Sequence, residues 1–104
     1  MKVITEQFDV PVFLGKLLKR NYVMMGIIHH RARYNKKSTA VHLSEVSGLT
    51  IENVYQILSR LKKEQLICTG ARTSVEDDLR LTYELTPKGV EEFEFLIAIL
   101  DGKL

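Results

Sequence analysis

The sequence has a single cysteine, Cys68, so no disulfide can close within the chain, which fits a reducing cytoplasmic setting. Only two prolines occur, Pro11 and Pro87, and each stands where a helix can begin. The longest apolar run, Phe95–Leu100, is six residues, far short of the roughly 20 that a membrane span needs. Met1–Val10 shows no apolar run after a basic start, so no secretory leader is read there. Repeats, low-complexity tracts and linker-like stretches are also missing. Acidic residues are absent from one long stretch: none lies between Asp9 and Glu45, where Lys16, Lys19, Arg20, Arg31, Arg33, Lys36 and Lys37 fall. From Thr86 onward the balance reverses through Glu91, Glu92, Glu94 and Asp101. The net charge of +2 conceals this polarity. A basic half beside an acidic half can present one side to phosphates, although a solvated basic helix has the same composition.

What is present suits one soluble domain: 104 residues, 45% hydrophobic and 27% charged. A core of that size is modest, and a second subunit would help to complete it. Asp9 and Pro11 can open a helical lead-in that places Phe13, Leu14, Leu17 and Leu18 on one face. Asn21 is a second possible cap, and Val23, Met24, Ile27 and Ile28 continue the spacing to about Tyr34. One bent helix or two would satisfy this pattern. Residues 35–39 read as a loop. Leu43 and Val46 then face inward on a helix of about two turns closed by Gly48. Thr50 caps the clearest helix, with Val54, Ile57, Leu58 and Leu61 as its apolar stripe. Residues 66–72 read as a strand and 73–78 as a turn. Leu79, Leu81, Tyr83 and Leu85 alternate with polar residues, the pattern of a half-buried strand. Thr86 and Pro87 open a last helix with Val90, Phe93, Leu96, Ile97 and Leu100 on one stripe. The expected fold class is mainly α with a small β-hairpin (α+β): 1–37 an arm and helical lead-in, 38–86 the central unit, 87–104 a C-terminal helix.

No enzyme chemistry is visible. There is no Ser/His/Asp set, no glycine-rich phosphate loop and no carboxylate pair in a plausible context. His29, His30, His42 and Cys68 do not make a metal site, because adjacent helical histidines point about 100° apart and no paired ligand spacing accompanies them. No metal or cofactor is expected. Cys68 reads as a half-buried strand residue and the paired Met24 and Met25 as core filler.

The segment Leu43-Ser-Glu-Val-Ser-Gly-Leu-Thr50 has a specific logic. Gly48 permits a tight turn, Leu49 tucks beneath it, and the second helix crosses the first with its polar side outward, a shape that fits a DNA major groove. This segment resembles the helix-turn-helix of the winged helix-turn-helix transcription regulators, in their MarR/PadR-like, archaeal and viral forms. Leu61-Lys-Lys-Glu-Gln-Leu-Ile67 resembles that family's passage from recognition helix to wing, with Gln65 where a glycine is usual. Leu85-Thr-Pro-Lys-Gly89 resembles its passage from wing to following helix. Together these cover about half of the chain.

The resemblance implies that Thr50–Glu64 is the recognition helix of a double-stranded DNA-binding regulator. Asn53 and Gln56 would pair with adenine, Arg60 with guanine or a phosphate, and Tyr55 with a thymine methyl or a phosphate. Thr50, Glu52, Ser59, Lys62 and Lys63 complete the outward set, with Ser59, Lys62 and Lys63 suited to the backbone. Lys36 and Lys37, with Arg31 and Arg33, can reach flanking phosphates. The wing departs from the family, because Glu76, Asp77 and Asp78 at its tip repel phosphates. Either the wing stays off DNA or only Arg72 and Arg80 at its sides touch it.

The last helix is apolar over more of its circumference than one intramolecular contact needs. Phe93, Phe95, Leu96, Ile97, Ile99 and Leu100, joined by Phe8, Val12, Phe13 and Leu17 of the lead-in, are the expected homodimer interface. A repressor is the expected role, since so small a chain has little room for an activating surface. A protein-interaction module and a non-specific chromosome-coating protein are the alternatives. The sequence points to no pocket for a small-molecule effector.

Overall fold

The computed structural model describes residues 19–75 and 78–102. The elements run α1 (Arg20–Arg33), β1 (Ser38–Thr39), α2 (Ala40–Ser47), α3 (Ile51–Lys63), β2 (Ile67–Thr69), β3 (Thr73–Val75), β4 (Asp78–Arg80), β5 (Thr82–Leu85) and α4 (Pro87–Leu100). This is the expected α+β winged-helix order. The lead-in before residue 19, with Phe8, Val12, Phe13 and Leu17, and the wing-tip pair Glu76 and Asp77 lie outside the described residues.

The core is built where helical spacing turns apolar side chains to one place. Met24, Met25 and Ile28 of α1, Ala40 and Leu43 of α2, and Val54, Ile57, Leu58 and Leu61 of α3 meet Leu66 and Ile67. Helix α1 starts directly after Lys19, earlier than an Asn21 cap would place it, and Lys19 makes no side-chain capping bond. It ends at Asn35 in the left-handed region (φ 57°), where the amides of Asn35 and Lys36 return to the carbonyls of Ala32 and Arg31. That closure satisfies the last carbonyls of the helix, and Asn tolerates the conformation.

Val46 does not face the core. It is exposed on the last turn of α2, beside a groove shared with Val23, Ile27 and Tyr34. Helix α2 buries Ala40 and Leu43, and Val46 lines the outer groove alongside α1 instead.

The sheet also differs from a single hairpin. Residues 38–39, expected as loop, form β1 and pair antiparallel with β5 (Ser38↔Tyr83, Thr39↔Thr82). On its other edge β5 pairs with β2 (Ile67↔Leu85, Cys68↔Glu84, Thr69↔Tyr83). Residues 73–75, expected as turn, form a separate ladder with β4 (Thr73↔Arg80, Val75↔Asp78). The break follows from Thr82, which is buried and donates its hydroxyl to the Ala71 carbonyl at 2.6 Å while its own carbonyl accepts from the Gly70 amide. A Cβ on Gly70 would stand 2.7 Å from that hydroxyl, so the close crossing needs glycine. Tyr83 and Leu85 keep the inward side that alternation assigned them and pack on the core. Leu79 and Leu81 are left exposed, with Leu79 67% accessible.

Two joints tie α4 to the rest. Gly26 of α1 lies so near Phe93 that a Cβ there would be 3.3 Å from the ring. Beside it, Tyr22 donates to Glu92 at 2.6 Å, and His29 stacks at a tilt on Phe93. The second joint is at the start of α4. Gly89 sits against the Leu66 carbonyl, where an added Cβ would come within 2.0 Å.

Candidate nucleic-acid interface

The turn between α2 and α3 is stitched by local bonds. Thr39 caps α2 by accepting from the His42 amide, while the Thr39 amide donates to His42 Nδ1 at 3.2 Å. Nδ1 is therefore unprotonated in this capping box. Burial, and next the Arg31 charge, hold His42 below its ordinary value; Glu45 opposes them weakly. Gly48 ends α2 at φ 75°, with open space around it, so its backbone conformation and not crowding calls for glycine. The Ser44 hydroxyl donates to the Leu49 carbonyl and the Leu49 amide to the Ser47 hydroxyl. Thr50 then caps α3 by accepting from the Asn53 amide at 3.2 Å.

Helix α3 buries Val54, Ile57, Leu58 and Leu61. At 3.6 residues per turn, Glu52, Tyr55, Gln56, Ser59 and Lys63 project from the opposite side, and all five are exposed. Arg60 is exposed and Asn53 half-buried on the flank towards α1; exposed Lys62 lies on the other. Tyr55 is 47% accessible and approaches Tyr83 of β5, whose phenol is pushed up first by burial and then by this neighbour. The polar side of α3 is thus free of cover from the described part of its own subunit.

The far end of α3 is held firmly. Gln65 occupies the left-handed region (φ 62°), while the Leu66 amide donates to Leu61 and the Gln65 amide to Lys62. This closure is the one a glycine usually makes, and here a glutamine bears its strain. Three more bonds come from the start of α4. Thr86 donates its hydroxyl to the Gln65 carbonyl and its amide to the Leu66 carbonyl, and Lys88 reaches the Glu64 carbonyl at 3.0 Å. The same Thr86 hydroxyl caps α4 by accepting from Gly89.

Other expected residues are placed less uniformly. Lys36 and Lys37 are exposed at the end of α1. Arg31 instead braces their loop, donating to Ser38 Oγ at 3.0 Å and to the Lys37 carbonyl. In the wing Arg72 is exposed and Arg80 half-buried. Lys19, Arg20 and Asn21 stand across a groove from Asn53, Gln56 and Arg60. Sequence reasoning read Asn21 only as a possible cap and counted Lys19 and Arg20 only in the acid-free basic stretch, naming none of the three as a DNA contact.

The histidines and the cysteine have local partners. His30 meets Tyr34 edge-on, and His29 lies 3.8 Å from Glu94. Cys68 sits 3.8 Å from Glu84, and burial followed by that carboxylate raises its thiol above the ordinary value, which disfavours the reactive thiolate. Among the described residues no group of three or more His, Cys, Asp or Glu could hold a metal. None of the described helices is long and apolar enough to cross a membrane.

On α4, Leu96 is buried, Phe93 is half-buried and packs against the core, and Ile99 is half-buried. Phe95 (50%), Ile97 and Leu100 stay exposed.

The sequence model of the "Transcriptional regulator PadR-like family" matches residues 36–95. No curated protein matches the sequence. Solved structures share the fold. A mutant MepR from a multidrug-resistant S. aureus clinical isolate aligns at a TM-score of 0.71 and 17% identity, over 96% of this chain and 69% of that one. Another S. aureus MepR mutant, bound to an oligodeoxyribonucleotide, aligns at 0.70 and 20% identity, over 88% and 64%. A transcriptional regulator homologue from Pyrococcus horikoshii OT3 aligns at 0.59 and 24% identity, over 88% and 96%.

Proposed function

The chain belongs to the PadR-like family of transcriptional regulators, and on that premise we propose that it binds double-stranded DNA with sequence preference, as a homodimeric repressor. The observation that carries this reading is the uncovered polar side of α3 beside a buried apolar stripe. Such a helix enters a major groove with donors and acceptors outward. Gln56 and Asn53 suit adenine, Arg60 suits guanine, and Glu52 accepts from a cytosine amino group. Ser59, Lys62 and Lys63 serve phosphates, with Lys36 and Lys37 beyond the helix. Arg72 is better placed than half-buried Arg80 to help at the wing.

The exposed apolar side of α4 supports the dimer. Phe95, Ile97 and Leu100 remain open on a subunit that has spent Leu96 on its own core. A two-fold pairing along this helix sets two recognition helices about 34 Å apart and favours a palindromic site. The bonds from Thr86 and Lys88 to the end of α3 support that reading, because they tie the dimerising helix to the recognition helix within one subunit.

The test is selection of bound sequences from a random duplex pool. An enriched palindrome supports the reading. Binding without enrichment indicates a chromosome-coating protein. No binding indicates a protein-interaction module, the reading that exposed Leu79 and Leu81 on the wing favour.

A further inference from the structure

We propose that the groove between the start of α1 and the flank of α3 holds the phosphodiester strand bordering the major groove, with Lys19 and Arg20 as its charge contacts. The inference rests on the duplex-DNA reading and adds contacts from outside the helix-turn-helix and the wing.

The groove has a volume of about 400 Å³ and is lined by Lys19, Arg20, Asn21, Asn53, Gln56, Ile57 and Arg60. Three of these are cations, three are amides, and none is acidic. Lys19, Arg20 and Arg60 are exposed, and among the described residues no carboxylate pairs with any of them. Like charges around one concavity raise its potential, and an anion entering from outside lowers it. The hollow on the other side of the α1 start is different: it contains Glu64 and Glu92 as well as Lys19 and Lys88. Charge is balanced there, so the attraction for an anion is confined to the α3 side.

The chemistry of the anion follows from position. One wall of the groove is the Asn53–Arg60 flank of the helix proposed to read bases. A strand that edges the major groove around α3 must run along that flank. Phosphates in this position meet ammonium, guanidinium and the Asn21 amide, groups that fix register without reading sequence.

The experiment measures binding of the full chain against salt, on the selected duplex and on random duplex. In the Lys19→Gln/Arg20→Gln variant the slope of log K against log salt falls by about 2 per subunit, at about 0.9 for each lost phosphate contact. Affinity drops equally on both duplexes, and Lys19→Arg/Arg20→Lys restores the slope. A neutral methylphosphonate placed in turn along the strand then identifies the phosphates: two neighbouring positions each weaken wild-type binding and leave the Lys19→Gln/Arg20→Gln variant unaffected. An unchanged slope in that variant, or a loss confined to the selected sequence, overturns the groove contact and leaves the regulator reading standing. A wild type that binds no duplex overturns both.

Discussion

Helices α3 and α4 are of nearly equal length and opposite use. Helix α3 is polar on balance, yet its apolar residues Val54, Ile57, Leu58 and Leu61 are all buried. Helix α4 is far more apolar, yet its buried residues are only Gly89 and Leu96, while Phe95, Ile97 and Leu100 meet water. The first has finished its intramolecular packing and offers a polar face; the second has apolar surface to spare. A free polar face suits a polyanion, and a free apolar face suits another protein surface. The two are joined end to start by Thr86, Lys88 and Gly89 against Glu64–Leu66.

The joint is the place to break both roles at once. Gly89→Ala forces a Cβ into the Leu66 carbonyl and should cost about 3 kcal/mol, the upper part of the overpacking range, as a drop in the urea midpoint. The two faces should separate under surface substitutions. Phe95→Glu with Leu100→Glu leaves the subunit folded, gives a monomer in sedimentation, and weakens binding to a palindrome by about 100-fold through lost avidity. On α3, Arg60→Ala should cost about 1–3 kcal/mol of DNA binding. Arg72→Ala in the wing costs less, and equal losses in a gel shift would contradict the primacy of α3. A subtler change sharpens the joint: Gln65→Gly removes the strain of a left-handed side-chain residue and should stabilise the fold by up to about 1 kcal/mol.

The smallest effect concerns the cap of α2. Folding keeps His42 neutral below its ordinary value of 6.5, so the unfolded chain binds more protons in that window. This contribution is complete above pH 6.5 and is lost as the pH falls through the folded value. His42→Gln retains an N3 acceptor for the Thr39 amide and should flatten the pH dependence of the thermal midpoint.

The helix-turn-helix was legible because its instructions are local. Gly48 needs its left-handed turn, Thr50 and Thr86 cap the residues just after them, and the stripe of α3 repeats within single turns. Gln65 was legible as an oddity, and its positive φ shows that the closure persists without glycine. Val46 departs from its pattern because periodicity names a side of a helix without saying how closely the neighbouring element packs there: it lines an open groove beside α1. The wing departs from alternation because β4 pairs with β3 in a ladder separate from β5, while Thr82 is buried through bonds to Gly70 and Ala71, which no period-two pattern encodes.

The amino-acid order by itself settled that α2, α3 and α4 are helices, that Thr50 and Thr86 cap the last two, and which side of α3 is apolar, because each of those preferences acts over one or two turns of chain. Only the tertiary structure decided that β1 joins the sheet edge, that Leu96 goes inward while Leu100 does not, and that Lys19 and Arg20 stand across from Arg60. Those outcomes depend on which distant segments meet and on the polar groups that must be satisfied where they do.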